Sequence, residues 1–127
     1  MRLLLDTNAL LWWLFDLSQL GEKARRSISD PDVDVVVSAV SAVEIGIKQG
    51  VGKLRAPDNL EEQVAADGFL ALPLTMRHGL ATGELPMHHK DPFDRLLVAQ
   101  ARCEGLTLVT PDRKLAAYDV PILDAGS

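Results

Sequence analysis

Residues 91–112 read DPFDRLLVAQARCEGLTLVTPD, and this stretch decides the fold. Pro92–Glu104 carries the apolar period of a helix, with Leu97, Val98 and Ala101 in one row. Asp91-Pro92 ahead of it is a capping residue followed by proline at the first helical position. Leu106–Val109 is the short, branched-rich run of a buried strand, and Thr110-Pro111 repeats the cap-and-proline signal before a short helix over Asp112–Ala117. Outward from this unit the same alternation continues. Strands are expected at Leu3–Leu5, Val33–Val37 (interrupted by Asp34), Phe69–Leu74 and Val120–Leu123. Helices are expected at Asn8–Phe15, Gln19–Ser29, Ala42–Gln49, Leu60–Asp67 and Met76–Thr82. Ser41 with Glu44 three residues on has the form of a capping box, and Gly83–Lys90 reads as a surface loop. Short buried strands alternating with helices imply parallel pairing through right-handed crossovers, hence a three-layer α/β domain.

At 127 residues the chain has the length of one domain, 1–127, with no linker, repeat or low-complexity tract. Hydrophobic residues at 47% and charged residues at 24% exclude a disordered chain. No apolar run approaches the roughly 18 residues that cross a bilayer, and Asp6 comes too early for a signal peptide. The single cysteine, Cys103, excludes a disulfide framework and a Cys-rich zinc site, so a cytoplasmic setting is expected with no membrane partner. The net charge of −5 argues against nucleic-acid binding by a bulk positive field. Any attraction for a phosphate backbone must be supplied by something other than that net charge.

In an open parallel sheet, ligands bind beyond the carboxyl ends of the strands. Four acids fall at strand exits or helix entries on that edge: Asp6 after the first strand, Glu44 and Asp94 in first turns of helices, and Asp112 after the fourth strand. Taken singly, each has a plain structural account as a cap or as an acid favoured by a helix N-terminus. Asp94 strains that account, because it shares its face with Leu97, Val98 and Ala101 and has no Lys or Arg one turn away on that face. An unpaired buried charge costs several kcal/mol, and clustered carboxylates repel. A cation shared among the four removes both difficulties. Oxygen-only ligands select Mg²⁺ or Mn²⁺ over zinc.

The segments LLLDTNALLWW, VSAVSAVEI, HKDPFDRLLVAQA and LVTPD resemble those of the PIN-domain ribonucleases, in particular the VapC-like toxins of type II toxin–antitoxin pairs. The resemblance spans Arg2 to about Leu123. It implies a parallel five-stranded sheet in α/β/α layers and a metal cluster of Asp6, Glu44, Asp94 and Asp112, supported by Asn8 and Thr110. It also implies an endoribonuclease acting on structured RNA such as tRNA, and silencing by a small antitoxin. Asp91 is read as a cap outside the quartet, and Arg95, Arg113 and Lys114 as candidate contacts to flanking phosphates. His88 and His89 precede the key helix, where solvated loop positions are the plainer reading.

Ala9–Phe15 is an unbroken apolar run that includes Trp12 and Trp13. A helix packed on a sheet needs apolar residues over only part of its circumference, so these two indoles mark a candidate interface for the antitoxin or for a homodimer. Two rival readings are a phosphotransfer-type acidic pocket and a noncatalytic module. The first wants an acceptor Asp after the third strand, where the chain has Leu72-Pro73-Leu74; the second has no need of Asp94.

Overall fold

A computed structural model describes residues 1–127. Five strands, β1 (Arg2–Leu5), β2 (Asp34–Ser38), β3 (Leu70–Leu72), β4 (Thr107–Thr110) and β5 (Ile122–Asp124), form one sheet in the order β3-β2-β1-β4-β5. Every pairing is parallel; Leu5 stands opposite Val37 on one side and Val109 on the other. Six helices connect them: α1 (Thr7–Leu14), α2 (Glu22–Ser29), α3 (Ala39–Gly50), α4 (Leu60–Ala66), α5 (Met76–Ala81) and α6 (Pro92–Glu104). Two 3₁₀ turns, Thr82–Glu84 and Arg113–Ala117, complete the chain.

The two-residue period of the strands sorts the core into two layers. Leu3, Leu5, Val35, Val37 and Val109 pack against Leu10, Ala24 and Ile28 of α1 and α2. Leu4, Val36 and Leu108 face the opposite way, against Leu97, Val98 and Ala101 of α6. Leu3, Leu4 and Leu5 are fully buried, each worth about 1.5–3 kcal/mol in removed apolar surface, which is why β1 occupies the centre. The three-layer parallel fold expected from the alternation is the one observed.

Helix α3 straddles the carboxyl edge of the sheet: its Val40 belongs to the α6-side layer and its Ile45 to the α1-side layer. This helix begins three residues before the expected Ala42. Its N-cap is Ser38, whose hydroxyl accepts the Val40 N–H at 2.9 Å and donates to Gln100 Oε1. The Ser41–Glu44 capping box is therefore not formed. Ser41 lies buried within the helix and accepts a 3.0 Å hydrogen bond from Thr7, which ties α3 to the start of α1. Thr110-Pro111 is likewise not a cap: Thr110 ends β4, and Asp112 caps a 3₁₀ turn in place of the expected helix. The third strand is only three residues long and lies on the sheet edge with Leu70 exposed, because Pro73 has no N–H to extend the ladder.

Most of the apolar surplus of Ala9–Phe15 is absorbed by the chain itself. Ala9, Leu10 and Leu11 are buried, and Trp12 and Trp13 are half-buried against the α1-side core. Trp13 also donates its Nε1–H to Asp67 at 2.9 Å and packs on Phe69. The more exposed apolar side chains lie elsewhere: Val43 and Ile47, one turn apart on α3, with Val51 at its C-cap, and Met76 and Leu80 on α5.

Candidate active site

The strand order reverses direction at β1, where connections from β1 run toward β2 and β3 and those from β4 run toward β5. Asp6 leaves the carboxyl end of β1 at this switch point, and Asp112 follows the adjacent β4. Asp94 enters from the first turn of α6, and Glu44 from the second turn of the straddling α3. Glu44 is thus one turn further along its helix than expected, a consequence of the earlier start at Ala39.

Asp6 is 2% exposed and caps α1, its Oδ1 accepting the Ala9 N–H at 2.7 Å. Burial pushes its carboxyl up to about 7, aided by the charges of Asp94 and Glu44 and opposed by hydrogen bonds from Thr110 and Ala9. Asp94 is pushed up to about 6, by burial first and then by the charge of Asp91; His89 opposes the shift. Asp112 behaves differently. Its partial burial acts upward, but the Lys114 N–H on Oδ1 at 3.0 Å and the His89 ring on Oδ2 at 2.7 Å outweigh it and hold the carboxyl below its usual value. Glu44 is buried and pairs with Lys48 one turn on, at 2.5 Å. That contact raises the Lys48 ammonium above its ordinary value, with Asp91 and Asp94 adding their charge.

The supporting residues divide. Thr110 is buried, accepts the Asp112 N–H at 3.1 Å and hydrogen-bonds the Asp6 carboxylate, bracing two acids with one hydroxyl. Asn8 is exposed in the first turn of α1 and braces no acid; Thr7, beside it, makes the inward contact to Ser41. Asp91 is the N-cap of α6, accepting N–H groups of Phe93 and Asp94, as expected. Arg113 and Lys114 are exposed beside Asp112 with their charges toward solvent.

Arg95 is not free for a substrate phosphate. Its guanidinium donates to the carbonyls of Thr82, Leu85 and Pro86 and to the Tyr118 hydroxyl, so it holds the 82–90 segment against the body of the protein. A five-donor fork matched to a set of carbonyls is a structural clamp. The loop so held presents His89 to the acids, in place of the solvated position expected from the sequence. Its Nε2 lies 2.7 Å from Asp112 and 3.6 Å from Asp94, and these three side chains are close enough to share an ion. The readable signal was local: Asp91, two residues beyond the histidine, is a cap whose own N–H reaches back to the ring. Lys48 was readable as the residue four beyond Glu44 on the same helix.

The donors suit a hard divalent cation. Asp6, Glu44, Asp94 and Asp112 offer only carboxylate oxygens; burial, with the charge of neighbouring acids added to it, disfavours the charged forms of Asp6 and Asp94, and a cation would offset that. The PIN domain family model matches residues 3–121. The chain is 30% identical over 121 residues to the ribonuclease VapC22 of Mycobacterium tuberculosis, covering 93% of this chain and 92% of that one. Among solved structures, VapBC2 from Rickettsia felis bound to a DNA fragment from its promoter superposes with a TM-score of 0.71 at 16% identity, over 97% of this chain and 98% of that one. A toxin–antitoxin complex from Klebsiella pneumoniae gives 0.65 at 17% identity, over 96% of each chain.

Proposed function

Because the chain belongs to the PIN-domain family of VapC-like ribonucleases, we propose that it is an endoribonuclease whose Asp6, Glu44, Asp94 and Asp112 hold Mg²⁺ or Mn²⁺ and hydrolyse RNA by direct attack of water. What supports this reading is that four carboxylates from four separate segments lie along the carboxyl edge of the sheet, Asp6 feeling the charge of Asp94 and Glu44, and Asp94 that of Glu44 and Asp112, while Asp94 and Asp112 with His89 are the ones near enough to share an ion. Such an ion supplies a water of lowered pKa and neutralises the nonbridging phosphate oxygens. The chain's own groups do the rest. Asp6 and Thr110 form the floor, Asp94 and Asp112 the walls, and Glu44 closes the α3 side with Lys48 as its counter-charge. Arg113 and Lys114, exposed beside Asp112, are placed to meet phosphates flanking the scissile one, and structured RNA such as tRNA offers those phosphates in a fixed arrangement.

Direct water attack leaves a 5′-phosphate and a 3′-hydroxyl. Cleavage of a structured RNA should require added Mg²⁺ or Mn²⁺, stop in EDTA, and give those ends on sequencing gels. Undiminished cleavage in EDTA overturns the reading.

We also propose a cognate antitoxin and self-association, in a cytoplasmic setting. The relatives from Rickettsia felis and Klebsiella pneumoniae are complexes of a toxin with its antitoxin, which supports the first. Half-buried Trp12 and Trp13 on α1 suit an antitoxin segment, and an Arg or Lys from it would pair with the acids. The exposed Val43 and Ile47 of α3, with Val51 at its C-cap, suit a second copy. Sedimentation at micromolar concentration tests this division: Ile47→Asp should dissociate the homodimer, and Trp12→Ala should leave it intact.

A further inference from the structure

We propose that His89 is a positioning residue of the acidic cluster: its Nε2–H fixes the Asp112 carboxylate, and faces that of Asp94, so that a cation meets preset oxygens. This rests on the metal-dependent reading above and adds a residue to it.

The other nitrogen of the ring decides where its proton sits. The Asp91 N–H points at His89 Nδ1 with a separation of 3.0 Å. A donor facing Nδ1 requires a lone pair there, which leaves the ring proton on Nε2. Nε2 in turn faces Asp112 Oδ2 at 2.7 Å and Asp94 Oδ2 at 3.6 Å. His89 therefore presents a proton to the acids, and its lone pair is turned away from them. Although its ring is near enough to Asp94 and Asp112 to join them around an ion, it acts as a donor to a ligand, and the ligand set stays all-oxygen.

The backbone that carries the ring is held as well. The His89 backbone N–H donates to the Tyr118 hydroxyl at 3.0 Å, and Tyr118 is buried. Arg95 donates to that same hydroxyl at 3.1 Å while gripping the carbonyls of Thr82, Leu85 and Pro86. His88, one residue earlier, is exposed, its backbone N–H on the Pro86 carbonyl and its ring edge-on to Tyr118. At the receiving end, the Lys114 N–H holds Asp112 Oδ1, so a second bond on Oδ2 removes the carboxylate's remaining rotation. Outer hydrogen bonds of this kind typically change metal affinity or activity by 10–100-fold.

The test measures Mn²⁺ binding by titration calorimetry on the full chain, together with long-range ¹H–¹⁵N spectra of the histidine rings. The wild-type His89 ring should show the Nε2–H tautomer. His89→Ala should weaken Mn²⁺ binding about 10-fold or more. His89→Gln, whose amide nitrogen reaches the place of Nε2, should recover most of that loss, whereas His89→Asn, which imitates only Nδ1, should not. An Nδ1–H tautomer in the wild type overturns the proposal without any variant having to fold. So does a folded His89→Ala that binds Mn²⁺ as tightly as the wild type, or equal behaviour of the Gln and Asn variants. A wild-type protein that binds no Mn²⁺ at all overturns the parent reading along with this one.

Discussion

Asp6 leaves β1 and Asp112 follows β4, and each caps what comes next, accepting a backbone N–H from Ala9 and Lys114 respectively. Locally they are the same device, yet one carboxyl is pushed up to about 7 and the other is held below its ordinary value. The difference lies in what surrounds the cap. β1 is the central strand, and its exit faces the acids that α3 and α6 carry; β4 leads into the 3₁₀ turn, where Lys114 lies and where His89 reaches Asp112 from the 82–90 segment. A capping role and the proposed metal-binding role are therefore compatible for an acid at a strand exit. The cap fixes where the carboxylate is, and its neighbours fix whether its charge is tolerated without a cation.

The severest trial of this comparison is catalytic. Asp6→Asn and Asp94→Asn should each lower single-turnover RNA cleavage by about 10²–10⁴-fold, the loss of several kcal/mol of charge stabilisation. A fall of less than tenfold for either would remove that residue from the metal cluster.

Next in size is stability without metal. Between 3.8 and about 7 the folded protein keeps a proton on Asp6 that the unfolded chain has released. Stability should therefore fall as pH rises through that window, with Asp94 adding to the fall up to about 6. Asp6→Asn keeps a good capping oxygen and removes the charge, so in EDTA at pH 8 it should be stabilised, on the order of a few kcal/mol or several degrees in Tm. Thermal melts of the two proteins at pH 5 and pH 8 decide this. A variant that melts lower than the wild type at pH 8 would mean that Asp6 serves the fold more than the site.

The smallest effect is expected at the other exit. Asp112 has a lowered value, so its contribution to stability is present near neutrality and is lost as pH falls through the acid range. Asp112→Ala should accordingly destabilise the metal-free protein at pH 8, by about 1 kcal/mol for the lost cap, the opposite sign to Asp6→Asn. Stabilisation by Asp112→Ala in the same melts would erase the distinction between the two exits.

The alternation of apolar runs and the placing of Asp6, Asp94 and Asp112 beside them were legible in the sequence, because strand and helix periods and cap residues are local properties of the chain. So was the crowding of acids on one edge, since parallel crossovers return every strand's carboxyl end to the same side. Other features depended on contacts between distant segments. Helix α3 starts at Ala39 because Ser38 finds Gln100 on α6, which moves Glu44 to a second turn. Arg95 turns from solvent to the carbonyls of the 82–90 segment, and that clamp brings His89 onto Asp112. Whether α1 displayed or covered Trp13 turned on Asp67 and Phe69, more than fifty residues away. Period and caps act within a few residues and survive in one dimension. Partners for a charge or an indole are chosen by packing, and packing exists only once the segments have met.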